Sequence, residues 1–426
     1  MEALSVHELN VHKIGGSCLR SRSDFDLIAD KLSSFSGKQV LVVSALWGVT
    51  DRLIRAVNEP HYANKLVEDL RTQHLRISPD ISESSWNSLF EKVLSGISRD
   101  LVLLSTKPNQ IQARNRILAS GERLSAIVVA NNLTNSNLPS IPVGAEDVGL
   151  KIQGHGAMKR VNLESSKLHL NLSKDSPIPV LTGWFGEGED GEITLLSRGG
   201  SDHSASSIAK LISADRVILW KDIKGIQSLN PRWGIPTNTI PYLGYNEAIT
   251  LAMYGGASVI HPFSIEPLIS SGIPMEVRCI FAPHTPETTT YIGPDIITQD
   301  SNLKAIGCKP GISVIKCHAP INSKILSMLE QIDITMWSIQ TKGNFAYIVL
   351  SSSHMESVFP HVDSVDVNHF TALISFVGTI PSLSEFGEDG NWHEFSRSKN
   401  GGLFAVNTDN LEYLLRKLSA NLELSC

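Results

Sequence analysis

From the N-terminus to about residue 290, short β-branched runs alternate with amphipathic stretches, and this alternation restricts the chain to an α/β arrangement around a largely buried sheet. Strands are predicted at 11–14, 39–43, 178–181, 216–220 and 275–281. Residues 113–133 set Ile117, Leu118, Leu124, Ile127, Val128 and Leu133 near one face at helical spacing, with Arg114, Arg116 and Arg123 elsewhere, which predicts a long core-facing helix. Asn246 is suited to cap a helix that ends at Gly255-Gly256, and 263–271 reads as a helix stopped by Gly272 and Pro274. A further helix is predicted over 204–212.

The texture changes at 283–300, a turn-rich stretch without hydrophobic periodicity, and the domain boundary is expected there. Beyond it, strands at 312–316, 335–339 and 345–350 with a helix at 323–331 make a β-α-β-β module. A fainter second module has strands at 372–377 and 403–406 and a helix at 411–418. The 426 residues therefore divide into an α/β domain at 1–293 and two tandem α+β modules at 300–426.

Composition excludes several classes. Lys plus Arg total 37 against 43 Asp plus Glu, for a net charge of −6, and no basic run is present that would neutralise a nucleic-acid backbone. No apolar stretch approaches the roughly 20 residues of a bilayer span, and the N-terminus lacks a targeting pattern, so a cytoplasmic protein without membrane or nucleic-acid partners is expected. The five cysteines, Cys18, Cys279, Cys308, Cys317 and Cys426, lack metal-ligand or disulfide-framework spacing and read as reduced thiols.

The chemistry-bearing residues fall in the first domain. Lys13-Ile14-Gly15-Gly16-Ser17 runs from a strand into paired glycines, whose N–H groups can approach an anion closely. Arg198-Gly199-Gly200-Ser201-Asp202 repeats the arrangement at a predicted helix start, where Asp202 alternatively serves only as a cap. Asp222 follows the strand at 216–220, at the end where open α/β sheets bind ligands, with Pro231-Arg232 shortly after. Ser120-Gly121-Glu122 places a glycine inside a helical pattern, a sign of close approach by a neighbour, beside a carboxylate that is otherwise a surface residue. Two anion cradles flanked by a Lys and an Arg point jointly to phosphoryl transfer between two bound anions, a reaction that needs positioning and electrostatics more than a nucleophilic side chain. No metal-ligand cluster and no Ser-His-Asp pattern is evident, and His12, His203 and His261 read as packed or surface residues.

The order of these motifs, together with Val42-Val43-Ser44-Ala45, Thr50, Thr182-Gly183-Trp184-Phe185-Gly186 and Ile260-His261-Pro262, resembles the aspartate kinases of the amino-acid kinase family over about residues 10–293. The modules after it are similar to the tandem ACT pair of those enzymes. The resemblance implies the amino-acid kinase fold, with a mainly parallel sheet sandwiched by helices, and Mg2+-ATP-dependent phosphorylation of the side-chain carboxylate of L-aspartate. It also implies a homodimer or higher homo-oligomer built through the ACT-like modules. Carried over by position, Lys13 and Asp202 are expected to be catalytic. Gly15, Gly16, Ser17, Ser44, Lys221, Asp222 and Arg232 are expected to hold the nucleotide, and Thr50, Glu122, Trp184, Arg198 and Ser201 the amino acid.

This chain departs from the family at Ser258, where many aspartate kinases have Lys, and at Lys221, Gln227 and Asn230 in the nucleotide loop. The junction Cys317-His318-Ala319-Pro320-Ile321-Asn322 lacks effector-pocket glycines, so feedback by lysine or threonine is expected to be weakened or lost. Two other readings stay open: a kinase acting on another acidic amino acid, and a catalytically weak regulatory homologue.

Overall fold

The computed structural model describes residues 8–173, 175–197, 199–255, 259–296, 302–319, 338–358, 364–386, 391–398 and 400–422. The chain forms two compact units, each assembled from more than one stretch: 1–154, 159–224 and 263–291 in the first, 155–158, 225–262 and 292–426 in the second.

The first unit contains β1 (Leu9–Ile14), α1 (Arg22–Ser33), β2 (Lys38–Val43), α2 (Val49–Asn58), α3 (Leu66–Ile77), α4 (Asn87–Thr106), α5 (Ile111–Asn135) and β3 (Ser140–Val143). A short pair, β4 (Ile152–Gln153) and β5 (Arg160–Val161), leads to β6 (Ile178–Thr182) and the hairpin β7 (Phe185–Glu187) and β8 (Ile193–Leu195), then α6 (Gly200–Leu211) and β9 (Arg216–Lys221). In the second unit follow β10 (Tyr242–Gly244) and α7 (Tyr245–Tyr254); the chain then returns to the first through α8 (Glu266–Ile269) and β11 (Met275–Cys279).

Six strands of the first unit pair in the order β11-β9-β1-β2-β6-β3, every pair parallel. Val40, Leu41, Val42 and Val43 are fully buried, as a strand covered on both faces requires. Because the strands are parallel, the residues that follow β1, β2, β6 and β9 emerge at one end of the sheet, and the predicted motifs sit there. Helix α5 is longer than 113–133 and far more enclosed than a one-faced helix: between Ile117 and Asn131 only Arg123 is not buried. It packs against β3 and β6 on one side and α2 and α4 on the other, so core contact surrounds it.

Three predicted helices are corrected. Helix α6 starts at Gly200 rather than 204, after a left-handed Gly199 (φ 76°), so Ser201 and Asp202 lie in its first turn. Helix α7 is preceded by Gly244, not capped by Asn246, whose side chain and N–H instead donate to Asp295. The stretch 263–271 breaks into a 3-10 turn at Pro262–Ser264 and the short α8, because Pro267 has no N–H to donate.

After β12 (Thr289–Gly293), the second unit contains β13 (Ala305–His318), β14 (Ser338–Lys342), β15 (Phe345–Ser351), β16 (Ser364–Val377), β17 (Trp392–Ser398), β18 (Gly401–Val406) and the C-terminal helix Leu411–Ser419. The two expected modules share one antiparallel sheet, ordered β14-β15-β13-β16-β18-β17, because β13 and β16 are long and pair from Ala305–Val377 to Cys317–Ser364. Helix 323–331 falls outside the described residues. No helix among the described residues is long and apolar enough to cross a membrane.

Candidate active site

Lys13 is the penultimate residue of β1, aligned with Val42 on β2 and Leu219 on β9, and it is 5% exposed. A buried ammonium needs a partner, and Asp202 in the first turn of α6 supplies it, with Lys13 Nζ 2.8 Å from Asp202 Oδ1. Lys221, the last residue of β9, donates to the other oxygen, Asp202 Oδ2, at 2.7 Å. Two cations thus share one carboxylate at the end of the central strands.

Burial pushes the Lys13 ammonium below its ordinary pKa, Asp202 opposes this and Lys221 adds to it. Burial alone would raise the Asp202 pKa, but the two lysines outweigh it and hold the carboxyl below the usual carboxylate range. Asp202 is therefore an ionised anchor between two ammonium groups and not a simple helix cap.

The glycine loop abuts this trio. A Cβ on Gly15 would stand 3.5 Å from Lys13 Nζ and 3.8 Å from Ser17 Oγ, whereas one on Gly16 would lie 2.7 Å from the Ala45 carbonyl oxygen. Only glycine at 16 allows the loop to lie against the segment after β2, where the Ser44 N–H donates to Ile14 O at 3.1 Å. Ser17 Oγ donates to Asp222 Oδ1 at 2.9 Å, and Arg20 Nη2 donates to Asp222 Oδ2 at 2.8 Å. The Arg20 guanidinium also lies 4.4 Å from the centre of the Trp47 ring. Arg20 was missed in the sequence, since nothing marks one exposed arginine four residues past a glycine pair; the clue lay in the exposed Trp47, which offered a face for a cation. Cys18 is a buried thiol, donating to Trp220 O at 3.6 Å, and burial pushes its pKa up to about 11.

Glu122 is 2% exposed and is no surface residue. One oxygen, Oε1, accepts the Ala45 N–H at 3.2 Å; the other, Oε2, has no hydrogen-bond partner. Burial raises its pKa to about 8, with the Ala45 N–H and the Lys13 charge pulling the other way. The neighbour sensed at Gly121 is the start of α2 and the turn before it: an added Cβ would meet Ala45 Cβ at 2.9 Å and Leu53 Cδ1 at 3.1 Å. Thr50 lies half-buried in the first turn of α2.

Trp184 holds a left-handed backbone (φ 71°), tied by its N–H to Ser204 Oγ at 3.1 Å and by its indole N–H to Leu196 O at 2.8 Å. Ser201 presses on Gly183, where a Cβ would stand 2.7 Å from that of Ser201. The structure thus groups Lys13, Asp202 and Lys221, links Ser17 with Asp222, and sets Trp184 and Ser201 along the start of α6. Arg198 and Ser258 lie outside the described residues. Arg232 belongs to the second unit, exposed in the turn Pro231–Trp233, with its N–H on Asn230 Oδ1. His203 is a packed residue: Nε2 accepts the Val161 N–H at 3.0 Å, so Nδ1 carries the proton and donates to Phe263 O.

Comparison with known proteins gives the family and the fold. Residues 8–279 match the model of the amino acid kinase family. The chain is 29% identical over 294 residues to Aspartokinase 2, chloroplastic, of Arabidopsis thaliana, covering 65% of this chain and 53% of that relative, about half its length. It is 26% identical over 390 residues to Aspartokinase of Chlamydia pneumoniae, covering 86% and 85% of the two chains. E. coli aspartokinase III, solved with aspartate and ADP, superposes with a TM-score of 0.77 at 19% identity, covering 97% of this chain and all of that one, a similarity of fold.

Proposed function

Because this chain belongs to the amino acid kinase family, we propose that it is an aspartate kinase, transferring the terminal phosphoryl group of ATP to the side-chain carboxylate of L-aspartate. The observation that carries the reading is the buried Lys13–Asp202–Lys221 trio beside a glycine loop, with an unpartnered Glu122 oxygen nearby. In the reaction a carboxylate oxygen attacks the terminal phosphorus, the bond from that phosphorus to the bridging oxygen breaks, and ADP leaves with the electron pair. The attacking carboxylate is already ionised at neutral pH, so no general base is needed.

Lys13 stabilises charge on the transferring group, and Asp202 holds Lys13 and Lys221 in place. Gly15, Gly16, Ser17 and Ser44 bond phosphate oxygens, with Lys221 and Asp222 on the nucleotide. Arg198 clamps the α-carboxylate, Glu122 receives the ammonium, and Thr50, Trp184 and Ser201 complete the amino-acid pocket. Among the described residues no group of three or more His, Cys, Asp or Glu side chains is arranged to hold a metal ion. Mg2+ is proposed as the nucleotide's counter-ion.

We assign residues 1–293 to catalysis and 300–426 to ACT-like regulation and to assembly as a homodimer or higher homo-oligomer. Cys18, Cys279, Cys308 and Cys317 are buried free thiols, which suits a cytoplasmic setting. Trapping the acyl phosphate with hydroxylamine, using ATP, magnesium and a panel of carboxylates, tests the reading. Aspartate should give hydroxamate, and Lys13→Met should lower kcat by roughly 100–1000-fold in a folded protein. Turnover of a different acceptor, or of none, would overturn it.

A further inference from the structure

Between the end of α1, the C-terminal ends of β9 and β11 and the turn after β11 lies a cavity of about 90 Å³, wholly within the first unit. Lys31, Trp220, Arg278, His284 and Thr289 are among its walls. About 10–15 Å³ suffices for one water, so this space has room for a polyatomic ion.

Its polar side chains are mostly donors. Thr289 is 1% exposed, yet its Oγ1 has no hydrogen-bond partner. Lys31 gives one bond, to Ala282 O at 3.1 Å, leaving two of its three N–H groups. Arg278 is 8% exposed and spends Nε on Glu276 Oε2 at 2.6 Å, with Nη2 on the same oxygen, leaving Nη1 uncommitted. None of the lining side chains is a carboxylate. Glu276, the nearby acid, is 3% exposed and is engaged by Arg278 and by Arg216 at 3.3 Å.

Burial lowers the pKa of His284, with the Arg278 charge adding to it and Glu276 opposing, and burial with Arg278 brings that of His12 to about 3. Buried donors without acceptors cost free energy, and an acceptor-only ion removes that cost. We propose that this cavity binds a small inorganic oxyanion, held by Lys31, Arg278 and Thr289. The site does not include the glycine loop.

The test is titration of the purified full chain, without nucleotide, with inorganic phosphate and then sulfate at constant ionic strength, following thermal stability and tryptophan fluorescence. Saturable binding is expected, with Kd raised about tenfold or more by Lys31→Gln, a half-buried position that tolerates the change, and a few-fold by Thr289→Val. Lys13→Met, which disturbs only the active-site cradle, should leave Kd unchanged. An affinity insensitive to both Lys31→Gln and Thr289→Val, loss of binding in Lys13→Met, or stabilisation that rises linearly without saturating would overturn the assignment.

Discussion

Glu122 shows how burial changes what one residue can do. With its pKa raised to about 8 by desolvation, its carboxyl is mostly protonated at pH 7. An arriving substrate ammonium would favour the ionised form and release that proton. Calorimetry at pH 7 in buffers of different ionisation enthalpy should therefore show close to one proton released per aspartate bound, and none for Glu122→Gln. Equal proton release by the two proteins would remove Glu122 from the ammonium site. The sign for stability follows: the folded chain holds a proton that the unfolded chain loses near pH 4.5, so this group's contribution falls as pH rises from about 4.5 to 8. The motif around Glu122 was legible in the sequence, but its burial was not. Its helix looked one-faced, and a glutamate beside a glycine carries no mark of the second layer of helices that covers it.

At the scale of elements, α5 and α2 meet through Gly121. Gly121→Val would put a branched side chain where a Cβ alone already stands 2.9 Å from Ala45 and 3.1 Å from Leu53. Chemical denaturation should show a loss of about 1–3 kcal/mol from overpacking, and because Ala45 also bonds Glu122, the aspartate KM should rise as well. Unchanged stability would mean that the helices separate freely. Strand signals in the second unit were read unevenly for local reasons. The predicted strand begins at 312, yet β13 also runs through Lys309-Pro310-Gly311: Pro310 pairs with Ala372, and Gly311 takes φ 66° before Ile312 resumes opposite Phe370. Strand β17 escaped because its register shifts between Glu394 and Ser396, which breaks the alternation a strand reading relies on.

Across the whole molecule, the two fully buried histidines of the first unit, His12 and His74, shape the response to acid. Burial lowers His12 to about 3 and His74 to about 4. The unfolded chain takes up two protons near pH 6.5 that the folded chain refuses until far lower pH, so their contribution to stability is lost as pH falls. Glu122 offsets one proton of the two between about pH 4.5 and 6.5. The slope left from these groups is about 1.4 kcal/mol per pH unit, and His74→Gln should abolish it. Denaturation midpoints between pH 6.5 and 5 that are identical for the parent and His74→Gln would contradict this.

What the chain alone determined was the α/β class, the positions of the central strands and the glycine-lined ends that carry Lys13, Asp202 and Asp222, because period and punctuation are local properties of neighbouring residues. Only the tertiary structure decided that Lys221 would share Asp202 with Lys13, that Arg20 would lie on Asp222 and Trp47, and that Glu122 would lose its water. Each of these pairings joins residues far apart in the chain or depends on layers that cover them. Charge and solvation at a site are set by what the fold brings near, which no window of adjacent residues contains.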